Sequence, residues 1–375
     1  MSHDTTFSGY AARLRQFIDE QAGLLCRSRR EEARFKSDES SQNLPTSATE
    51  GQCNALALSL FNLQFEHNPV LRRLCQHRGV TPASVLDWRQ IPAVPTSAFK
   101  ELEVTSLLAD ERTAVFHSSG TTEQQPSRHF HNAESLAVYE ASLRPCFAAH
   151  LLVGQCAPPA TSPQPSRLPD LRFFALTPAP LLAPHSSLAH MFDTVRRAFG
   201  AADSFFAGGL DASGAWTLDV DAVASALREC VSAQCLVVLL GTAFNFVHLL
   251  DALAARAIQF NLPAGSRVME TGGYKGRSRV IPKAELHALM TQRLGVPASH
   301  IVCEYGMSEL SSQAYDLVIR PPASGLVPLP RCFHFPPWAR AQIISPETGC
   351  EVAEGETGLI RVLDLANVRD RRAHV

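Results

Sequence analysis

The chain has 375 residues, of which 45% are hydrophobic and 19% are charged, and this is the composition of a globular protein that can bury a large core. Its formal net charge of -2 provides no excess of basic residues for binding nucleic acid or an anionic membrane. No apolar run approaches the roughly 20 residues of a membrane span, and the N-terminus lacks the layout of a secretory signal.

The cysteine and histidine residues show no spacing that is typical of a metal site. The ten cysteines are irregularly spaced and contain no Cys-x-x-Cys pair, and the fourteen histidines form no array of ligands. Neither a zinc site nor a disulfide framework is therefore predicted. Reduced thiols fit a cytoplasmic protein, which is the expected location.

Residues 1–110 are predicted to form a helical N-terminal part. Apolar residues that recur with a period near 3.6 predict helices over residues 10–34, 56–65 and 70–77. Asn68-Pro69 opens the last of these helices. The polar residues 37–51 predict a loop, and two prolines three residues apart predict an extended segment over residues 91–100.

Residues 111–330 are predicted to form an α/β core. A helix over residues 133–149, with a kink or break at Pro145, precedes a proline-rich connection over residues 156–170. Strands then alternate with helices: strands at 171–176, 204–207, 235–240, 267–270 and 301–305, and helices at 188–199, 220–230, 244–257 and 283–293. This alternation predicts a parallel sheet with helices on its faces, and ligands in such sheets bind at the carboxyl ends of the strands.

Residues 331–375 are predicted to form a β-rich tail. Residues 342–349 and 357–363 have the pattern of two β-segments separated by glycine turns. The sequence stops soon after Asp364-Leu-Ala-Asn367, so we expect this part to be truncated.

A turn that combines glycine with hydroxyl residues follows the short apolar run 114–116. Its members are Ser118, Ser119, Gly120, Thr121 and Thr122. Glycine permits close approach of the backbone, and consecutive N–H groups and hydroxyls can surround a phosphate. Hydrogen bonds to a charged group contribute roughly 1.5–3 kcal/mol each. The alternative is an ordinary polar surface loop.

Two further loops follow predicted strands. Tyr305, Gly306, Ser308 and Glu309 combine an aromatic face, a glycine, a hydroxyl and a carboxylate, and a carboxylate is the usual protein ligand of Mg²⁺. The glycines Gly272, Gly273 and Gly276 would allow a flat ligand to approach closely. Taken singly, the first loop is also explained as a turn with a solvated glutamate, and the second as a common glycine turn.

The three loops in this order resemble the adenylate-forming ligases. Ser-Ser-Gly-Thr-Thr, followed about 180 residues later by Tyr-Gly-Met-Ser-Glu, resembles their phosphate loop and their Tyr-Gly-x-Thr-Glu motif, and Gly355-Glu-Thr-Gly358 resembles a later turn. Within that superfamily, the chain is most similar to the acyl-protein synthetases of the bacterial luminescence system (LuxE type) and more distantly to phenylacetate–CoA ligases. The likeness covers roughly residues 55–370, and further motifs carry it: Ile91-Pro-x-x-Pro-Thr-Ser-x-Phe-Lys100, Pro126-Ser-Arg-His129 and Glu270-Thr-Gly-Gly-Tyr-Lys-Gly276.

The resemblance implies the large N-terminal domain of such a ligase, acting with ATP and Mg²⁺. A carboxylic acid, expected to be a fatty acid, would form an acyl-adenylate, and the acyl group would pass to a thiol of a protein or of CoA. By analogy, Ser118 to Thr122 bind the β- and γ-phosphates, Ser308 the α-phosphate and Glu309 the metal. The nucleotide would contact Gly272, Gly273, Tyr305 and Gly306, and the acyl chain would lie near Phe244 and Phe246.

The chain departs from the family pattern in three ways. Glu123 stands where a glycine is usual, and Arg128 replaces the lysine that closes the phosphate loop, so Arg128 is the expected catalytic cation. The chain also ends before the ribose-binding aspartate and the small lid domain with its catalytic lysine. Two alternatives therefore stay open: a degenerate relative that binds nucleotide or acyl ligand as a partner subunit, and an unrelated α/β binding protein.

Overall fold

The computed structural model describes residues 6–34, 47–118, 125–152, 171–272, 279–316, 331–370 and 373–374. Its N-terminal part is helical, with one very short strand. In chain order it contains α1 (Phe7–Arg34), α2 (Ser47–His67), α3 (Pro69–His77), β1 (Val94–Pro95) and α4 (Ala98–Glu101). Asn68 caps α3 as predicted, since its side chain accepts hydrogen bonds from the N–H groups of Val70 and Leu71.

A hairpin and a long helix lead into the core. The hairpin strands are β2 (Ala114–His117) and β3 (Arg128–His131), which pair antiparallel. Helix α5 (Ala133–Leu151) follows, and the Asn132 side chain caps it by accepting a hydrogen bond from the N–H of Ser135.

An eight-stranded mixed sheet forms the centre of the molecule. Its elements in chain order are β4 (Leu171–Pro178), α6 (Ser187–Phe199), β5 (Phe205–Leu210), β6 (Trp216–Leu218), α7 (Val220–Ala233), β7 (Leu236–Thr242), α8 (Ala243–Ala255), β8 (Arg267–Thr271), α9 (Lys283–Leu294), β9 (Ile301–Tyr305), β10 (Ala314–Asp316) and β11 (Phe333–His334). The strand order is β11-β10-β9-β8-β7-β4-β5-β6. The five strands from β9 to β5 are parallel, and antiparallel strands flank them at both edges.

The alternation of side chains along the parallel strands builds a core on each face of the sheet. In β4, Phe173 points into a cluster shared with α1, α2, α5 and α6, whereas Phe174 points into a cluster shared with α7, α8 and α9. Because both faces are buried, the inner strands are almost wholly apolar, as in the Val237–Leu240 stretch of β7. This arrangement confirms the predicted α/β sheet with flanking helices.

The tail forms a small second sheet, in agreement with the β-rich prediction. Strands β12 (Ala339–Ile344) and β13 (Leu359–Asp364) pair antiparallel, and β14 (Ala373–His374) lies between β13 and β1. The helices hold the segment after β13: the Tyr10 hydroxyl donates to the Leu365 carbonyl over 3.0 Å. The Gln64 amide faces the carbonyls of Asn367, Val368 and Asp370 at 2.9, 3.0 and 2.9 Å.

Two local predictions were wrong, and one of two alternatives at Pro145 is excluded. Helix α2 begins at Ser47, inside the predicted loop 37–51, because Thr49 and Cys53 are buried and packing extends the helix. Residues Ala98–Glu101 form a helical turn within the segment predicted to be extended. Helix α5 continues through Pro145. A proline inside a helix costs about 3 kcal/mol, but burial of Leu143 and Phe147 stabilises the helix by roughly 1.5–3 kcal/mol each.

Replacing Gly208 by alanine should destabilise the sheet by about 1–3 kcal/mol. A Cβ atom at Gly208 in β5 would lie 2.1 Å from the backbone carbon of Thr177 in β4, where the register of the two strands shifts. Urea unfolding measures the change. Gly209→Ala is the matched control, since its Cβ would meet only the Thr217 hydroxyl, at 3.1 Å. Equal unfolding midpoints for the wild type and Gly208→Ala would contradict the close approach of β4 and β5.

Candidate active site

The predicted phosphate loop is the connection of the β2–β3 hairpin. At the base of this connection, Ser118 N–H donates to the Ser127 carbonyl at 3.1 Å, and Ser127 N–H donates to the Ser118 hydroxyl at 2.9 Å. Residues 119–124 lie outside the described residues, so the structure does not locate Ser119, Gly120, Thr121 or Thr122. Their phosphate-binding role stays a prediction.

The loop after β9 contacts the base of this hairpin. The Ser308 hydroxyl donates to the carbonyl of His117, the last residue of β2, at 3.0 Å. The Ser127 hydroxyl donates to the Glu309 carboxylate, and both side chains are almost completely buried. Two motifs that are about 180 residues apart in the sequence therefore meet at the carboxyl ends of the parallel strands.

A buried histidine and a buried asparagine link the same two loops. His129 Nδ1 in β3 lies 2.6 Å from the Ser308 carbonyl oxygen, and His129 Nε2 lies 3.0 Å from Asn367 Oδ1. The Asn367 amide group donates to the Glu309 carbonyl over 2.7 Å. The stretches Pro126-Ser-Arg-His129 and Asp364-Leu-Ala-Asn367 contain these two residues, but no sequence pattern indicates that they meet.

Two buried aspartates of the tail complete the network. Asp370 accepts a hydrogen bond from Phe130 N–H at 2.8 Å and lies 3.6 Å from His129 Nε2. Burial raises the pKa of Asp370 to about 6, although the charge of His129 acts in the opposite direction. Asp364 accepts hydrogen bonds from the N–H groups of Ser311 and Ser312 at 2.7 and 2.8 Å. No sequence spacing indicates these contacts.

Glu304 of β9 is a further buried carboxylate, just before the loop after β9. Glu304 pairs with Thr271 of β8, whose hydroxyl donates to the Glu304 carboxylate. Burial raises the pKa of Glu304 to about 7. A Cβ atom at Gly306 would lie 2.2 Å from Glu304 Oε1, so a larger residue at this position would displace the Glu304 carboxyl group.

The predicted nucleotide contacts are only partly described. Gly272 follows β8 with a φ of 66°, a conformation that favours glycine, whereas Gly273 lies outside the described residues. Tyr305 is half-buried, and its ring centroid lies 5.7 Å from that of Phe333 and 6.1 Å from that of Phe335. Stacking of Tyr305 on adenine stays a prediction.

Arg128 points away from the loop after β9. Its neighbour His129 contacts Ser308, and successive residues of a strand point to opposite sides. The Arg128 guanidinium binds the Glu103 carboxylate at 3.1 Å on the surface. To act as the catalytic cation, Arg128 would have to leave the Glu103 carboxylate and bind a phosphate instead.

The expected acyl-chain contacts differ in burial. Phe246 is fully buried in the core between the sheet and α7 to α9, so it has no surface for a ligand. Phe244 is partly exposed in the first turn of α8, after the carboxyl end of β7.

A single carboxylate is suited to Mg²⁺ that also binds nucleotide phosphates. Mg²⁺ is usually held by one or two carboxylates together with substrate phosphates and water. Across the described ranges, no cluster of three or more His, Cys, Asp or Glu side chains could hold a metal ion. Glu309 accepts a hydrogen bond from Ser127, and a carboxylate has further lone pairs for a cation. The donor set therefore fits the expected group.

Comparisons with solved structures identify the fold. The chain is similar to 2-hydroxyisobutyryl-CoA ligase in an open conformation with 2-HIB-AMP and CoA, with 12% identity and a TM-score of 0.56, over 92% of this chain and 76% of that one. The same ligase with 2-HIB-AMP and CoA in the thioesterification state gives 13% identity and a TM-score of 0.59, over 91% and 68% of the two chains. The chain has the fold of an adenylate-forming ligase.

Comparisons with family models and with curated proteins found no match. No family model matches the chain, and no curated protein is significantly similar to it. In the part of this ligase-like fold that the structure describes, no helix has the length and apolar character that crossing a membrane requires.

The contribution of Glu304 to the stability of the folded protein should fall as pH rises from about 5 to about 7, and Glu304→Gln should remove this contribution. Burial raises the pKa of Glu304 from 4.5 to about 7, so between these values the folded chain keeps a proton that the unfolded chain has released. The protonated Glu304 side chain contributes on the order of 3 kcal/mol to the free energy of unfolding. This contribution is complete below the pKa of the unfolded chain, 4.5, and is lost as the pH rises through the pKa of the folded chain, about 7. Urea unfolding at a series of pH values measures it.

The exposed Glu66 provides a control for this experiment. Glu66→Gln should keep the wild-type pH dependence. Parallel stability curves for the wild type and Glu304→Gln would show that the buried carboxyl does not bind a proton in this range.

Proposed function

We propose that this protein activates a carboxylic acid with ATP to form an acyl-adenylate and transfers the acyl group to a thiol. The hairpin connection would bind the terminal phosphates, Ser308 an α-phosphate oxygen and Glu309 the Mg²⁺ ion. When bound, ATP would supply the adenylyl group, and Mg²⁺ would neutralise the negative charge of the phosphates. The protein then contributes mainly positioning and electrostatic stabilisation, as in other phosphoryl-group chemistry.

One observation carries the proposal: the Ser308–Glu309 pair contacts the base of the β2–β3 hairpin. The Ser308 hydroxyl lies 3.0 Å from the His117 carbonyl, and the Glu309 carboxylate accepts from Ser127. A phosphate oxygen held by the hairpin connection would therefore lie near a hydroxyl donor and a carboxylate for a cation. Since a hydroxyl has one hydrogen to donate, Ser308 would exchange the His117 carbonyl for the phosphate oxygen.

The acyl acceptor is the finer part of the proposal. The sequence motifs favour an acyl-protein synthetase that takes a fatty acid and passes it to a protein cysteine. The ligase with a similar fold has CoA bound in its solved structures, which supports CoA as the other acceptor. The irregular cysteine spacing supports action in the cytoplasm.

A second candidate is binding of nucleotide or acyl ligand without turnover. The contact between Arg128 and Glu103 favours it, because the cation expected beside the phosphates is neutralised at the surface. The two candidates differ in adenylate formation, so one assay separates them.

The whole chain should catalyse exchange of pyrophosphate into ATP in the presence of an acid that it accepts. We expect the highest rate with one member of a panel of fatty and aromatic acids. Glu309→Gln should lower this exchange by at least about 100-fold and weaken its dependence on Mg²⁺, because a charged ligand to the metal is lost.

Glu347→Gln is the matched control, since Glu347 is an exposed glutamate in the turn after β12. It should exchange pyrophosphate like the wild type, and thermal unfolding should show that both variants are folded. ATP binding by the wild type without exchange for any acid would favour the second candidate. Unchanged activity of Glu309→Gln would exclude Glu309 as the metal ligand.

A further inference from the structure

Both ring nitrogens of His129 face groups that only accept hydrogen bonds. Nδ1 lies 2.6 Å from the backbone carbonyl oxygen of Ser308, which has no hydrogen to donate. Nδ1 must therefore carry a proton. In a neutral imidazole with Nδ1 protonated, Nε2 would be an acceptor.

The contacts of Asn367 determine the role of Nε2. One end of the Asn367 amide lies 2.7 Å from the Glu309 carbonyl oxygen, which also only accepts, so this end is the NH₂ group. The opposite end is then the oxygen Oδ1, which lies 3.0 Å from His129 Nε2. Nε2 must therefore donate as well.

A buried carboxylate balances the resulting positive charge. Asp370 Oδ2 lies 3.6 Å from His129 Nε2, and both side chains are almost fully buried. A buried charge is tolerated when it is paired and hydrogen-bonded. Phe130 N–H donates to the same Asp370 oxygen at 2.8 Å.

His131, on the same side of β3, has different hydrogen-bond partners from His129. His131 Nδ1 lies 3.2 Å from the Ser135 hydroxyl, which can donate or accept, and Nε2 has no hydrogen-bond partner among the residues that the structure describes. Burial, followed by the charges of His129 and His190, holds the pKa of His131 well below its ordinary value. The centroids of the His129 and His131 rings lie 4.4 Å apart.

We infer that His129 is a buried imidazolium that positions the proposed active-site loops. Its Nδ1–H bond to Ser308 joins the hairpin to the loop after β9, and its Nε2–H bond to Asn367 joins both to the tail. It reaches Ser308 and Glu309 only through backbone carbonyls, so it is a positioning residue. Its effect on adenylate formation rests on the proposed function. The charged or titratable groups around it and its partners are Arg128, His131, His117, Glu309, Asp370 and Arg112.

The protonation state is tested first, on the whole chain without substrate. Nitrogen NMR of histidine-labelled protein at neutral pH should show one buried ring with both nitrogens protonated. His129→Gln should remove this signal, which assigns it among the fourteen histidines. A His129 ring with one unprotonated nitrogen would overturn the inference.

The positioning role is tested by hydrogen exchange and by kinetics. In His129→Gln, the amides of residues 306–310 should exchange about tenfold faster or more, since a charged hydrogen bond is lost. Pyrophosphate exchange at saturating ATP should fall roughly 100-fold, because a loop displaced by about 1 Å can cost that much. The fall should appear in the maximal rate more than in the KM for ATP.

His131→Gln is the matched control, since His131 is equally buried on the same strand and does not contact the loop after β9. It should leave both readouts near their wild-type values, even if it lowers the melting temperature. Equal effects of the two variants, or unchanged hydrogen exchange in His129→Gln, would overturn the inference. Absence of exchange activity in the wild type would count against the proposed function alone, because the NMR and hydrogen-exchange results need no substrate.

Discussion

The candidate site depends on two buried carboxylates, one at the end of β13 and one in the segment that follows this strand. Asp364 accepts hydrogen bonds from the backbone of Ser311 and Ser312, and Asp370 accepts one from the backbone of Phe130. Leaving such groups buried without partners costs several kcal/mol. The tail, the loop after β9 and the β2–β3 hairpin must therefore be ordered together, and the geometry of Ser308 and Glu309 follows from this requirement.

The N-terminal helices take part in the same arrangement, although they supply no candidate catalytic group. Tyr10 of α1 and Gln64 of α2 donate to backbone carbonyls between Leu365 and Asp370. These contacts join residues that are separated by 303 positions or more. The helical part thus stabilises the conformation of the tail, and the tail in turn fixes the loops of the site.

The distribution of charge indicates how such a site would bind a polyanion. Burial raises the pKa values of Glu304, Asp364 and Asp370, which lie beneath the loops, while the nearest predicted cation, Arg128, binds Glu103 at the surface. A nucleotide bound at the hairpin would then depend on backbone N–H groups, hydroxyls and Mg²⁺ more than on a lysine or arginine.

The alternation of strands and helices and the capping of α3 were both predictable from the sequence. Apolar period and end signals are local properties, and residues such as Asn68 act on neighbours only a few positions away. The course of α5 through Pro145 was not predictable, because burial of Phe147 and other residues outweighs the local preference. Nor were the roles of His129, Asn367 and Asp370, whose partners are 58 to 240 positions away. Sequence determined which residues form each element, and tertiary structure decided which polar groups meet, since hydrogen bonds between distant segments have no period in the chain.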